Sequence, residues 1–241
     1  MYNNYGKFLD VTANTIEDRD FDDALDEMKD LSIGANISQD KSGMQLFNGG
    51  FATTITVNGY KMSWYGDSKP LFSTVHPTVV PGESSQSNAS STGIRFSHDN
   101  LETAKVALKE QQTDDGLPLA MLGKETLVLP LSLQREGEEE TSSILTPETA
   151  NNAINVFKGA QDMVVSLFLS ATNGGSNTAW FLTVPARSKL YHEVRKAPML
   201  ESDTNIKNKV VTFTVDARWA DYVKDWRRTF GSKGDLASYS S

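Results

Sequence analysis

Apolar side chains first fall into register between residues 18 and 47. Phe21, Leu25, Met28, Leu31 and Ala35 recur at spacings of three and four, which places them on one face of a helix. Asp18, Asp20, Asp22 and Asp23 stand at its start, where carboxylates favour the positive end of the helix dipole. Beyond Gly34 the stripe shifts to Ile33, Ile37, Met44 and Phe47, so a bend or break is expected there, and Asn48-Gly49-Gly50 ends the helix. Unbroken, it would be a rod ~45 Å long.

Alternation of period two follows. Phe51, Thr53, Ile55 and Val57 lead to an Asn58-Gly59 turn, and Tyr60, Met62 and Trp64 return from it, which predicts a hairpin. Residues 81–93 are small and polar and read as a mobile loop. A second helix is expected from about residue 99 to 112, capped by Asp99 or Asn100, with Leu101, Ala104, Ala107 and Leu108 inward. Leu117-Pro118-Leu119 and residues 126–130 read as short buried strands, with Pro130 as a stop. Thr146-Pro147-Glu148 opens a turn or short helix. Residues 163–169 and 179–184 read as strands joined by an Asn173–Asn177 turn, and residues 209–219 as a long strand with Val211, Phe213, Val215, Ala217 and Trp219 on one face. The tail after Lys233 is expected to fray. Residues 1–17, polar with scattered apolar side chains, suggest no element. Helices and late strands in this order give an α+β class.

Composition narrows this little. In 241 residues, 38% hydrophobic and 22% charged, there is enough to build a core, as one large domain or two small ones. The chain has no cysteine, which excludes disulfides and thiolate metal sites. A net charge of −8 is not the broad basic footprint of a nucleic-acid binder. The charge is uneven: residues 1–50 hold ten acids against four bases, and residues 187–233 eleven bases against six acids. These are either solvated faces or surfaces that meet, within a subunit or between neighbours. No apolar run approaches the ~18–20 residues of a membrane span, and the first residues do not read as a signal peptide, so no membrane anchor is expected.

Candidate chemistry is sparse. The three histidines, His76, His98 and His192, lie in no metal-ligand spacing and are read as structural. There is no Gly-x-Ser-x-Gly elbow and no glycine-rich phosphate cradle. Glu136, Glu138, Glu139 and Glu140 read as a solvated face, and Trp64, Trp180, Trp219 and Trp226 as core. The expectation is a chain with no catalytic, cofactor-binding or metal-binding residue. A Ser/His/Asp triad is assembled in space, however, so a hydrolase using His98 or His192 stays open.

Six phrases carry a resemblance. They are Asn48-Gly49-Gly50-Phe51-Ala52; Pro70-Leu71-Phe72-Ser73-Thr74-Val75-His76-Pro77 with Ser87-Asn88 after it; and Asp115-Gly116-Leu117-Pro118-Leu119 with Leu127-Val128-Leu129-Pro130. Then come Asn151-Asn152-Ala153-Ile154-Asn155; Ala179-Trp180-Phe181-Leu182; and Asp225-Trp226-Arg227-Arg228-Thr229-Phe230-Gly231-Ser232-Lys233-Gly234. In this order, over residues 20–234, they resemble the major capsid proteins of tailed phages, of the Hong Kong 97-type fold and its Mu-like head-subunit branch. The resemblance implies a spine helix with peripheral and axial domains. Residues 1–17 would be a remnant of the extended loop and N-terminal arm, which family members carry at greater length. Residues 18–51 would be the spine helix of the peripheral domain, 52–190 mainly the axial domain, and 191–241 the return to the peripheral domain with the tail. Trp219, Trp226 and Phe230 would anchor on the spine helix. It further implies hexamers and pentamers of the chain itself, closing an icosahedral shell in the virion around DNA held by non-specific contact. Assembly would occur in the bacterial host's cytoplasm with portal, scaffold and decoration proteins, and without a membrane, a cofactor or an enzymatic activity. With so short an arm, monomers, rings or irregular sheets are expected rather than closed shells. The alternatives are the shell of a cellular nanocompartment with the same fold, a phage decoration or tail protein, and the Ser/His hydrolase.

Overall fold

The computed structural model describes residues 2–239 apart from 13, 16–20, 54, 55, 58, 64, 65, 79, 81, 83, 120–122, 147–152 and 206. The elements are β1 (Asn3–Thr12), α1 (Phe21–Asn48), β2 (Thr56–Val57), β3 (Tyr60–Ser63), α2 (His98–Lys109), β4 (Glu125–Pro130) and α3 (Gln134–Ser142). They continue with β5 (Gln161–Ser166), β6 (Trp180–Thr183), β7 (Lys189–Asn205), β8 (Val210–Asp225) and β9 (Thr229–Ser232). Strands β1, β8, β3 and β2 form one sheet in that order, with β7 also on β8, and β5, β4, β6 and β9 form another. The fold is α+β. Two compact units divide the chain, Met1–Gly43 with Tyr191–Asp221 and Met44–Leu190 with Tyr222–Ser241.

Helix α1 is 28 residues long, about 42 Å, and runs through Gly34 without a break. One helical glycine costs only ~1 kcal/mol against alanine. The expected shift of face does not occur: Ile33 and Ile37 are exposed, and the buried seam continues from Met28 and Leu31 through Ser42, Gln45 and Leu46. Its second half is polar, which hid the periodicity. Asp18 and Asp20 lie outside the described residues, as do Ile55, Asn58, Trp64, Pro147, Glu148, Asn151 and Asn152, so the expectations placed on them stay as they are.

In the first unit, β1 pairs antiparallel with β8 from Asn3 opposite Trp219 to Thr12 opposite Val210. The pleat turns Val11 and the β8 residues Val215, Ala217 and Trp219 inward, while Phe8 and Asp10 face solvent. Tyr5 stacks on Trp219 with ring centroids 3.9 Å apart. Neither β1 nor the 17-residue β7 was expected. Their apolar residues are few because most of their positions are exposed.

In the second unit, β4 is parallel to β5 and antiparallel to β6, and β6 pairs with β9. Both faces of β4 and β6 are covered, so their sequences are nearly continuous apolar runs. Leu127, Leu129, Trp180 and Leu182 join Leu101, Ala104 and Leu108 of α2 and Phe230 of β9 in one cluster. Val128 and Phe181 join Leu46, Leu71, Phe72, Trp226 and Tyr239 in the other. Phe72 sits at the crossing of four segments. Its ring stacks on Phe181 at 5.1 Å, its amide donates to the Gly50 carbonyl at 2.8 Å, and its carbonyl accepts from the Tyr239 hydroxyl at 2.7 Å. A Cβ at Gly50 or Gly231 would lie 2.5 or 2.7 Å from its ring carbons, so both positions need glycine for clearance.

Several expectations are corrected here. Ser97, not Asp99 or Asn100, caps α2, its hydroxyl accepting from the Asn100 amide at 3.4 Å. The loop around residue 88 is fastened rather than mobile: the Asn88 side chain donates to the carbonyls of Leu71 (2.8 Å) and Trp226 (3.3 Å) and accepts from the Ser73 amide (2.9 Å). Leu117 is exposed, because the Asp114–Gly116 turn folds residues 117–119 back on Gln112 at the surface. Strand β5 stops at Ser166, whose hydroxyl accepts from the Phe168 amide and starts a 3-10 turn. The tail is pinned through Tyr239. Trp219 reaches α1 as expected, its indole donating to Ser42 at 2.9 Å, but Phe230 belongs to the α2 side of the sheet and lies near Trp180, centroids 5.8 Å apart.

Two sets of substitutions test this packing. Trp226, buried and stacked on His76 at 4.0 Å, should cost about 3–5 kcal/mol of unfolding free energy when replaced by Ala. Gly231→Ala should cost about 1–3 kcal/mol by overpacking Phe72. Gly34→Ala, with nothing within 4 Å of the new Cβ, should gain up to ~1 kcal/mol. Denaturant titration reads all three, and equal midpoints for the two glycine variants would contradict the geometry.

Candidate functional site

Each histidine is held by a carboxylate. In the first unit, His192 of β7 places Nδ1 2.6 Å from Oδ1 of Asp221 on β8. Asp221 is fully buried there, and its other oxygen accepts from the Ser42 hydroxyl of α1. Histidine, aspartate and serine do meet, but in the wrong order for hydrolysis. A triad needs the imidazole between the nucleophile and the carboxylate. Here the carboxylate stands between the other two, and the serine oxygen also receives the Trp219 indole proton. The cluster can fasten α1 to two strands; it cannot take a proton from Ser42 through His192.

His98 begins α2, and its Nδ1 lies 2.7 Å from Oε2 of Glu140 on α3. Glu140 is therefore buried and paired, not part of a solvated face: it follows buried Gly137 by three residues on the inner side of the helix, while Glu136 and Glu138 stay exposed. The pair borders a groove of about 860 Å³, also lined by Arg95, Asp99, Arg135, Glu136 and Thr146. Two serines line it as well. Ser132 donates to the Asn177 carbonyl at 2.5 Å, and Ser97 is the α2 cap, so both hydroxyls serve the backbone. Charges of both signs border the groove, which gives it no preference for an anion or a cation.

His76 is the most buried. Its ring lies flat on Trp226, with Nδ1 2.6 Å from Oδ2 of Asp67 and Nε2 3.0 Å from Oδ1 of Asn88. Both acceptors favour the protonated ring, but burial outweighs them and holds its pKa below the ordinary value of about 6.5. Burial likewise lowers the pKa of Lys105, against the opposing pull of Glu125 at 3.4 Å. Lys105 also donates to Gln161 at 2.7 Å and lies over the Phe157 ring.

None of these clusters pairs an activated nucleophile with a base. Among the described residues no three His, Cys, Asp or Glu side chains gather to hold a metal ion, and no helix is long and apolar enough to cross a membrane. Sequence reading missed the three carboxylate partners, which lie 9, 42 and 29 residues from their histidines and leave no local spacing to find.

The His76 cluster sets a pH dependence. In the unfolded chain His76 takes up a proton below about pH 6.5, whereas the buried ring resists it. Its contribution to stability is present above that pH and lost as pH falls through the lower folded value. The unfolding midpoint of the wild type should therefore drop more between pH 7 and acid than that of His76→Gln; parallel profiles would show that His76 is not the group responsible.

No protein-family model and no curated protein matches the chain. Solved structures do. The capsid of Myoviridae phage XM1 matches with TM-score 0.54 at 11% identity, over 97% of this chain and 73% of that one. The capsid of an empty GTA particle matches with TM-score 0.53 at 10% identity, over 99% of this chain and 74% of that one. The bacteriophage JBD30 capsid matches with TM-score 0.50 at 15% identity, over 70% of this chain and 76% of that one. With nearly its whole length accounted for and no paired nucleophile and base at its histidines, the chain has the α+β fold of phage capsid subunits.

Proposed function

We propose that the chain is the major capsid subunit of a tailed phage, of the Mu-like branch, and associates with itself in hexamers and pentamers to enclose DNA in an icosahedral head. The observation that carries this reading is the capsid fold spanning 97–99% of the chain in the matches to two solved capsids. The sequence phrases support it from another side. Gly50, Phe72, Phe181 and Gly231 come from four of the six phrases and meet at one point of the core. On this reading α1 is the spine helix, residues 52–190 are mainly axial, and residues 191–241 return to the peripheral domain. Its place is the virion, after assembly in the host cytoplasm. Portal, scaffold and decoration proteins are partners, and the chain catalyses nothing. A net charge of −8 fits a wall that touches DNA non-specifically rather than one that grips it.

The acidic first fifth and the basic stretch at 187–233 give neighbouring copies opposite signs to align, an effect on register and encounter more than on affinity. Electron microscopy of the purified chain should show rings or irregular sheets, forming more slowly as salt shortens the ~10 Å Debye length of 0.1 M solution. A monomer at every salt and protein concentration would overturn the proposal, and particles filled with a protein cargo and free of nucleic acid would point to a nanocompartment instead.

A further inference from the structure

Beyond α3 the chain doubles back as a short ribbon. The Thr146 amide donates to the Ala153 carbonyl at 2.8 Å and the Asn155 amide to the Ile144 carbonyl at 3.0 Å, with Leu145 opposite Ile154. Asn155 fixes its base. The buried side chain donates to the carbonyls of Glu140 (2.8 Å) and Ser143 (3.2 Å) and accepts from the Phe157 amide (2.9 Å), and Phe157 belongs to the core against α2. On this fixed base the apolar side chains point outward. Ile144 is 66% exposed, Ile154 77% and Val156 71%, with Leu145 beside them. Residues 141–146 and 153–157 contain no charge.

Single exposed apolar residues need no explanation, but four on one rigid ribbon do. Charge depletion at the centre with a charged rim is the anatomy of a protein interface. The rim is present, since Thr146 lines the groove that also holds Arg95, Arg135 and Glu136.

We infer that this ribbon is a contact between copies of the chain, buried when the shell assembles; the inference rests on the shell-subunit reading. Size decides the occupant. A free-standing partner needs about 800 Å² and roughly 20–30 residues on each side, far more than four side chains offer. So small a patch is effective only where other contacts already hold the partner at high local concentration, as they do for neighbouring copies in a lattice. Residues 141–146 and 153–157 carry no basic side chain with which to hold nucleic acid.

The absence of cysteine makes the test direct. Ile154→Cys, labelled with a polarity-sensitive dye, reports on the ribbon alone, and Glu102→Cys on the exposed side of α2 serves as reference. On assembly the emission at 154 should shift to the blue, with a smaller shift at 102. Ile154→Asp should raise the protein concentration needed for assembly by roughly tenfold or more, while the thermal midpoint of the unassembled subunit stays that of the wild type, as for other surface changes. Particles that assemble normally with Ile154→Asp, and with the dye at 154 still in water, would overturn the inference and leave the shell reading standing. A wild-type chain that never assembles would overturn both.

Discussion

The packing of Phe72 is the constraint on which the larger unit depends. Its ring occupies space that only two glycines can leave free, Gly50 after α1 and Gly231 in β9. Its backbone binds the end of α1 on one side and the C-terminal tail on the other. A side chain so enclosed has one position, and that position fixes where the long helix stops, where β9 lies against β6 and where the tail is tied down. Close packing of this kind transmits any displacement, because the surrounding side chains have no free volume in which to absorb it.

Polar groups complete what apolar packing begins. Asn88 joins residues 71, 73, 76, 226 and 229, and Asp221 joins α1 to β7 and β8 through Ser42 and His192. Such bonds are directional where hydrophobic contact is not, so they select one register among several that would bury similar area. The histidines find their role here, as fasteners whose second partner is a carboxylate.

Much of this was legible in the chain. Residues with local period announced themselves: the Met28 and Leu31 face of α1, the Leu101 face of α2, the apolar runs of β4 and β6 and the alternation of β8. What stayed hidden depended on distant partners. The seam of α1 turns polar at Ser42 and Gln45 because its partners there are hydrogen-bonding groups, and a hydrophobic period cannot record them. Strands β1 and β7 are mostly exposed, so water rather than a core chose their side chains. The mobile-loop reading failed at Asn88 because a small polar residue in a Ser-rich stretch looks the same whether it faces solvent or five buried partners. The exposed ribbon was passed over for a related reason: exposure of Ile144 and Ile154 is a fact of tertiary structure, and apolar residues in a sequence are by default assigned inward.

Strand β7 carries a further consequence. Among the described residues its only strand partner is β8, so β7 is an edge of the sheet. Pro198 removes one backbone donor from the middle of this strand, and Lys189, Glu193, Arg195, Lys196, Glu201 and Asp203 space charges along it. On the proposed shell role, a protein that gathers many copies of itself at high local density has to forbid the wrong contact as firmly as it makes the right one. Strand-to-strand growth along such an edge would be open-ended, with no geometry to close it. On that reading the proline and the charges disfavour pairing along the edge and leave association to surfaces whose shape sets a curvature.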